Sequence, residues 1–119
     1  MHVVVIGASD KPERYSYQAL KLLQEKGHSV SPVHQRIKLI DGVSVFSSIG
    51  DITDPIDTIT MYVAADISTG LASDILAKKP KRIVFNPGAE NPQLAALAEA
   101  NGIQTLEACT LVMLRTGQF

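Results

Sequence analysis

With 119 residues, 45% of them apolar and 19% charged, the chain has the size and composition expected of one globular domain, 1–119, around one core. A net charge of -1 and the lack of tryptophan speak against a nucleic-acid binder, which needs basic excess and stacking rings. Apolar runs such as Val3 to Ile6 are strand-sized, too short for a membrane span. Met1 and His2 lead straight into that run, so no secretory leader is expected. The single cysteine, Cys109, has no internal disulfide partner and fits a reducing, cytoplasmic compartment.

His2 to Ile6 reads as a buried strand of β-branched residues ending at Gly7. Tyr15 to Lys26 reads as a helix with Ala19, Leu22 and Leu23 on one face and Gly27 at its left-handed C-terminal cap. Ser29 to Val33 is the second strand. The stretch from 33 to 57 is the least regular, a long loop with an Asp41-Gly42 turn and one short edge strand. Asp57 to Val63 is the third main strand. Asp66 is the expected N-cap of a helix carrying Ile67, Leu71, Ile75 and Leu76, closed by Lys79-Pro80. The basic run Lys78-Lys79-Pro80-Lys81-Arg82 reads as a solvated connection. Arg82 to Asn86 is strand four. Asn91-Pro92 opens a helix with Leu94, Leu97 and Ala98 inward. Ile103 to Leu106 is strand five, and Cys109 to Arg115 a last short helix.

Strands alternating with helices of this length imply right-handed crossovers and a three-layer α/β fold. Its five-stranded, mostly parallel sheet would carry helices on both faces. Ligands of such sheets bind beyond the carboxyl ends of the strands. Four turns should therefore lie side by side: Gly7-Ala8-Ser9, Pro32-Val33-His34, Tyr62-Val63-Ala64 and Asn86-Pro87-Gly88-Ala89.

The first turn says most. Gly7 permits a tight reversal, Ala8 and Ser9 let a ligand approach the backbone, and the helix near Tyr15 offers free amides to an anion. Lys11 and Arg14 add charge; Ser9, Tyr15 and Ser16 add hydroxyl donors. The full G-x-G-x-x-G pattern is absent, with Ser9 and Pro12 at its second and third glycines. Strand two ends Val33-His34-Gln35 without the acid that holds the ribose of NAD. No P-loop sequence occurs.

Gly7-Ala8-Ser9-Asp10-Lys11-Pro12-Glu13-Arg14 followed by a helix resembles the opening of the small bacterial CoA-binding proteins, which are similar to the Rossmann-like CoA-binding domain of the succinyl-CoA synthetase α subunit. The resemblance continues through Pro32-Val33, Gly42-Val43, Asp57, Asn86-Pro87-Gly88-Ala89 and Cys109. It implies coenzyme A or an acyl-CoA as cofactor, with Gly7, Ala8 and Ser9 at the phosphates and Pro12, Arg14, Tyr15 and Ser16 flanking. Val33 and His34 would lie by the adenosine, and Arg36 by the ribose 3′-phosphate. Tyr62, Val63 and Ala64 would line the pantetheine path, and Asn86, Pro87, Gly88 and Ala89 the far wall. The chain departs from the family in one place: Val33-His34-Gln35 stands where members continue Val-Asn-Pro.

The expected role is a stand-alone, non-catalytic module acting as sensor, carrier or regulatory partner. The alternatives are an NAD(P)-binding redox sensor and an accessory component of a multi-chain acyl-CoA synthetase. Cys109 reads as a small buried hydrophobe unless a helix N-terminus activates it. His2, His28 and His34 are too dispersed for a metal site. Asp10, Glu13 and Glu90 read as residues of helix starts. A homodimer or another protein partner stays open, because no self-complementary face is legible.

Overall fold

Runs of β-branched residues buried on both sides build the centre of the molecule. A computed structural model describes all 119 residues. The main strands are β1 (His2–Ile6), β2 (Ser29–Val33), β5 (Thr58–Met61), β6 (Arg82–Phe85) and β7 (Gln104–Glu107). They form one sheet in the order β2-β1-β5-β6-β7, every pair parallel. The fold is α/β and Rossmann-like, and the sheet is wholly parallel.

The period-2 alternation of the strands sorts the core into two halves. Val3 and Val5 of β1 pack with Leu20 and Leu23 of α1 (Tyr15–Glu25) and Leu114 of α5 (Thr110–Arg115). Val4 and Ile6 face the other way, with Ile59 and Met61, against Ile75 of α3 (Ala72–Ala77) and Leu94 and Ala98 of α4 (Pro92–Ala100).

Several local expectations are corrected. On α1 the buried face is Ala19, Leu20 and Leu23, with Leu22 half-buried. The expected helix from Asp66 is two helices, α2 (Ala65–Gly70) and α3, broken at Leu71 beside Gly70, whose backbone freedom weakens a helix interior. Ala64 holds the N-cap position and Asp66 lies in the first turn. Ile67 is 52% and Leu97 50% exposed, so neither is core. Strand β5 is shorter than expected, because Asp57 and Tyr62 to Val63 lie outside its ladder.

The irregular stretch holds more order than its composition suggests. Leu39–Ile40 (β3) and Val43–Ser44 (β4) pair antiparallel around Asp41-Gly42, where one edge strand was expected. Phe46 then makes a parallel bridge to Val33: its N–H donates to the Pro32 carbonyl (2.9 Å) and its carbonyl accepts from the His34 N–H (3.0 Å). Pro32, with no N–H to offer, is placed on an edge strand. Tyr17 and Lys21 of α1 both hold the Asp41 carboxylate, tying the hairpin to the helix. Those two partners, the tyrosine hydroxyl first, hold the Asp41 carboxyl below its ordinary range.

The basic run is less solvated than expected. Lys78 Nζ donates to the Ile52 (2.6 Å) and Gly50 (3.1 Å) carbonyls, bracing the 3-10 turn Ile49–Asp51. The Arg82 guanidinium lies 4.5 Å over the Phe119 ring.

Candidate functional site

The strand order reverses between β1 and β5: the chain steps from β1 outward to β2, then returns to lay β5 on the other side. A parallel sheet opens a crevice at such a point. Gly7 sits at its base with φ +87. A Cβ there would meet Val63 Cγ1 at 2.8 Å and the Tyr62 carbonyl carbon at 3.1 Å, so the two strand ends meet only because residue 7 has no side chain. The Gly7 and Ala8 amides both donate to the Val33 carbonyl (3.2 Å each), which draws the end of β2 into the same corner.

Beyond Gly7 the chain enters α1 without sealing its N-terminus. Ser9 Oγ accepts the Lys11 amide (3.1 Å) and so shapes the loop. Arg14 occupies the N-cap position, no side chain caps the first turn, and that turn carries no acid. The amides at this end are donors for an anion, reinforced by the helix dipole. The ion pairs of the molecule are Lys21–Asp41 and Lys81–Asp57, so Lys11, Arg14 and Arg36 are exposed and unpaired.

A trough of two lobes runs over this corner. The larger lobe, about 850 Å³, is lined by Gly7, Ala8, Ser9, Lys11, Arg14, Tyr15 and Ser16, and on its other side by Tyr62, Val63, Ala64 and Pro87. The smaller, about 500 Å³, takes Val33, Arg36, Ser47 and Ser48 together with the apolar side chains of Ile49, Ile67 and Leu71. Gly7, His34, Val63 and Ile67 line both. Both volumes lie in the range of small-molecule sites.

Four expected residues stay outside the lining. Pro12 is exposed and lines neither lobe. Ala89 is 3% exposed and packs in the core with Leu94. Gly88, exposed, turns its amide to Glu90 Oε1 (3.0 Å). Asn86 is 2% exposed and structural: its Nδ2 donates to Thr60 Oγ1 (2.8 Å) and the Met61 carbonyl (2.9 Å), and its Oδ1 accepts the Thr110 amide (2.8 Å). Thr60 and Thr110 share a further hydrogen bond of 2.7 Å. That network fixes the start of α5, where Cys109 stands half-buried at the N-cap, outside the trough, rather than fully buried as expected.

Tyr62 joins trough and network. Its Oη is buried with no hydrogen-bond partner. Burial pushes the hydroxyl up to about 12.

Sequence reasoning missed the wall made by Ser47, Ser48 and Ile49, the exposed Ile67, and the edge of Leu71 that reaches the lobe from its place against the core. The first group lies in a polar stretch without periodicity. The other two were absorbed into a helical stripe that reads as core. No group of three or more His, Cys, Asp or Glu residues is placed to hold a metal ion, and no helix is long and apolar enough to cross a membrane.

The chain is similar in sequence and fold to known proteins. A Bacillus subtilis (strain 168) protein, uncharacterized protein YneT, is 32% identical over 74 residues, which is 62% of this chain and 55%, about half, of that protein. A crystal structure of an uncharacterized protein is 34% identical, with a TM-score of 0.94, covering 99% of this chain and 97% of the other. The dinucleotide forming acetyl-coenzyme A synthetase of Ca. Korarchaeum cryptofilum superposes at TM-score 0.75 and 23% identity over 90% of this chain and 25% of its own, a likeness of fold alone. Residues 1–115 match the family model of the CoA binding domain, and the chain belongs to that family.

Proposed function

We propose that this chain binds coenzyme A, free or acylated, in the two-lobed trough, as a module without chemistry of its own. The observation that carries the reading is the unsealed N-terminus of α1. Its first turn has no side-chain cap and opens on the trough beside unpaired Lys11 and Arg14. A diphosphate supplies acceptors for the open amides and a counter-charge for Lys11 and Arg14, in a lobe that Asp10 and Glu13 also line. The apolar smaller lobe, with Val33, Ile49 and Ile67, suits an adenine ring, and unpaired Arg36 at its edge suits a ribose phosphate. Tyr62, Val63 and Ala64 offer the pantetheine chain a path toward Pro87.

The reading as a binder rests on how the polar groups are already used. Ser9 Oγ accepts a backbone amide and His34 Nδ1 accepts two, so neither is paired as nucleophile with base. An NAD(P)-dependent role lacks an acid at the end of β2, and a shared fold carries no synthetase activity to this chain. The lone free cysteine accords with a cytoplasmic site of action.

Thermal shift and calorimetry with CoA, acetyl-CoA, dephospho-CoA, NADH and ATP test the proposal. CoA at a hundred times its dissociation constant stabilises by about 2.7 kcal/mol. Dephospho-CoA binds more weakly, and the difference shrinks in Arg36→Ala. A shift with NADH and none with CoA overturns the reading.

A further inference from the structure

We propose that His34 is a proton-sensitive positioning residue: unprotonated at Nδ1 it holds the 34–37 turn that walls the trough, and acid releases that turn and weakens ligand binding. The proposal rests on the trough being the CoA site. The His34 main chain is anchored, since its N–H donates to the Phe46 carbonyl (3.0 Å). The turn that follows is held by the side chain. Nδ1 accepts the backbone N–H of Arg36 (3.0 Å) and of Ile37 (3.1 Å), and neither amide has a backbone acceptor.

Two donors converging on Nδ1 require its lone pair, so the ring carries its proton on Nε2, which has no protein partner. Protonating Nδ1 would set a third donor against the other two. The turn must then open, and it carries Arg36 and Gln35, both in the wall of the smaller lobe. His34 lines both lobes, so its release disturbs their junction.

The ionisable residues lining the two lobes that His34 borders are Arg36 on the same turn, Asp10, Lys11, Glu13, Arg14 and Tyr15 of the β1–α1 segment, and Tyr62 after β5. The wall segment 47–49 and the Ile67–Leu71 side contribute none. An imidazolium would also add a positive charge beside a phosphate ligand, which acts in the opposite sense. Arg36 is more exposed than His34 and is screened at least as much, so what decides is the wall itself, which loses Gln35 and Arg36 together when the turn opens.

Amide spectra of the ligand-free protein between pH 8 and pH 5 test the latch without any ligand. The Arg36 and Ile37 resonances should move together with the His34 ring. In His34→Asn, whose Oδ1 can accept the same two amides and does not titrate, they should stay in place. CoA affinity is then measured at both pH values. Because the probe's monoester phosphate itself takes up a proton near pH ~6, the quantity read is the difference between the two proteins. Wild-type affinity should fall about tenfold further than that of the variant.

Amides that ignore the ring titration, or equal pH slopes in both proteins, overturn the proposal. Should His34→Asn not fold, the coincidence of ring and amide titrations in the wild type decides. Absence of CoA binding at pH 8 would fell the proposed function instead, leaving the latch to be judged by the amides.

Discussion

Two turns leave the carboxyl edge of the same sheet through a glycine in nearly the same left-handed conformation, Gly7 at φ +87 after β1 and Gly88 at φ +89 after β6. Each leads into a helix, and there the likeness ends. After β6 the side chains close the turn. Asn86 is saturated below the turn, the Ala89 amide returns to the Asn86 carbonyl (2.8 Å), and Glu90 takes the Gly88 amide. Asn91 Oδ1 caps α4 through the Leu94 amide (3.0 Å). After β1 the cap position holds Arg14, nothing closes the first turn, and the neighbouring cations have no partners. Backbone shape alone therefore does not tell the two turns apart. What separates the two is whether the protein has already satisfied its own donors, since buried or helix-end groups left open call for an external partner.

The largest effect should come from the closed turn. Asn86→Ala strips a buried network that joins β5, β6 and α5 and leaves the Thr110 amide without its acceptor. Urea unfolding should show a loss of about 3 kcal/mol. CoA affinity of the molecules still folded should change little. A selective loss of affinity with stability intact would erase the distinction between the turns.

Gly7→Ala tests the open side and should come next. The new Cβ meets Val63 Cγ1 at 2.8 Å and the Tyr62 backbone at 3.1 Å, in a conformation that L-residues avoid. Strain of both kinds costs about 2 kcal/mol. Unlike Asn86→Ala, it should also abolish CoA binding in calorimetry on protein kept well below its melting temperature, because the strand ends that floor the trough are forced apart.

The difference between the turns was only half legible in the sequence. The fold could be read because buried parallel strands are written as unbroken apolar runs and because Asn91-Pro92 states a helix start chemically. The tight reversal at Gly7 could be read too, since a glycine directly after a buried strand permits it. Asn86 could not. A buried asparagine satisfying a threonine and two backbone groups has the same donors and acceptors as one facing a cofactor, and only its surroundings decide. Ile67 failed in mirror image: its helical spacing promised core, but the break at Leu71 leaves it facing the trough. Ser47 and Ser48 carry no periodic signal at all, being placed by the Phe46 bridge and the braced turn after it.

Tyr62 touches both regions, with its ring in the trough and its hydroxyl beside the Thr60–Thr110 pair, and its titration reports on their junction. The folded chain keeps the proton up to about 12, whereas an unfolded tyrosine releases it near pH ~10. Between those values the unfolded state binds fewer protons, so stability falls as pH rises, by about 1–2 kcal/mol in all. Tyr62→Phe should lose this part of the alkaline decline. At neutral pH it should be no less stable than wild type, because the hydroxyl it removes has no partner. A marked loss at pH ~7 would show instead that the hydroxyl holds the network together.

Gly88→Ala should have the smallest effect. Its φ is within a few degrees of that of Gly7, but a Cβ at residue 88 would meet nothing within 4 Å. Only the backbone penalty of a left-handed alanine remains, about 1 kcal/mol in urea unfolding. Because the Gly88 amide is taken up by Glu90 and the residue lies outside the trough lining, CoA affinity should stay within about twofold of wild type. Two alanines in matched conformations would then give opposite binding results, which isolates the close approach at Gly7 from the left-handed turn as such. Should Gly88→Ala weaken CoA binding as strongly as Gly7→Ala, the turn after β6 must open to meet the ligand, and its closed hydrogen bonds would describe a resting state rather than a structural one.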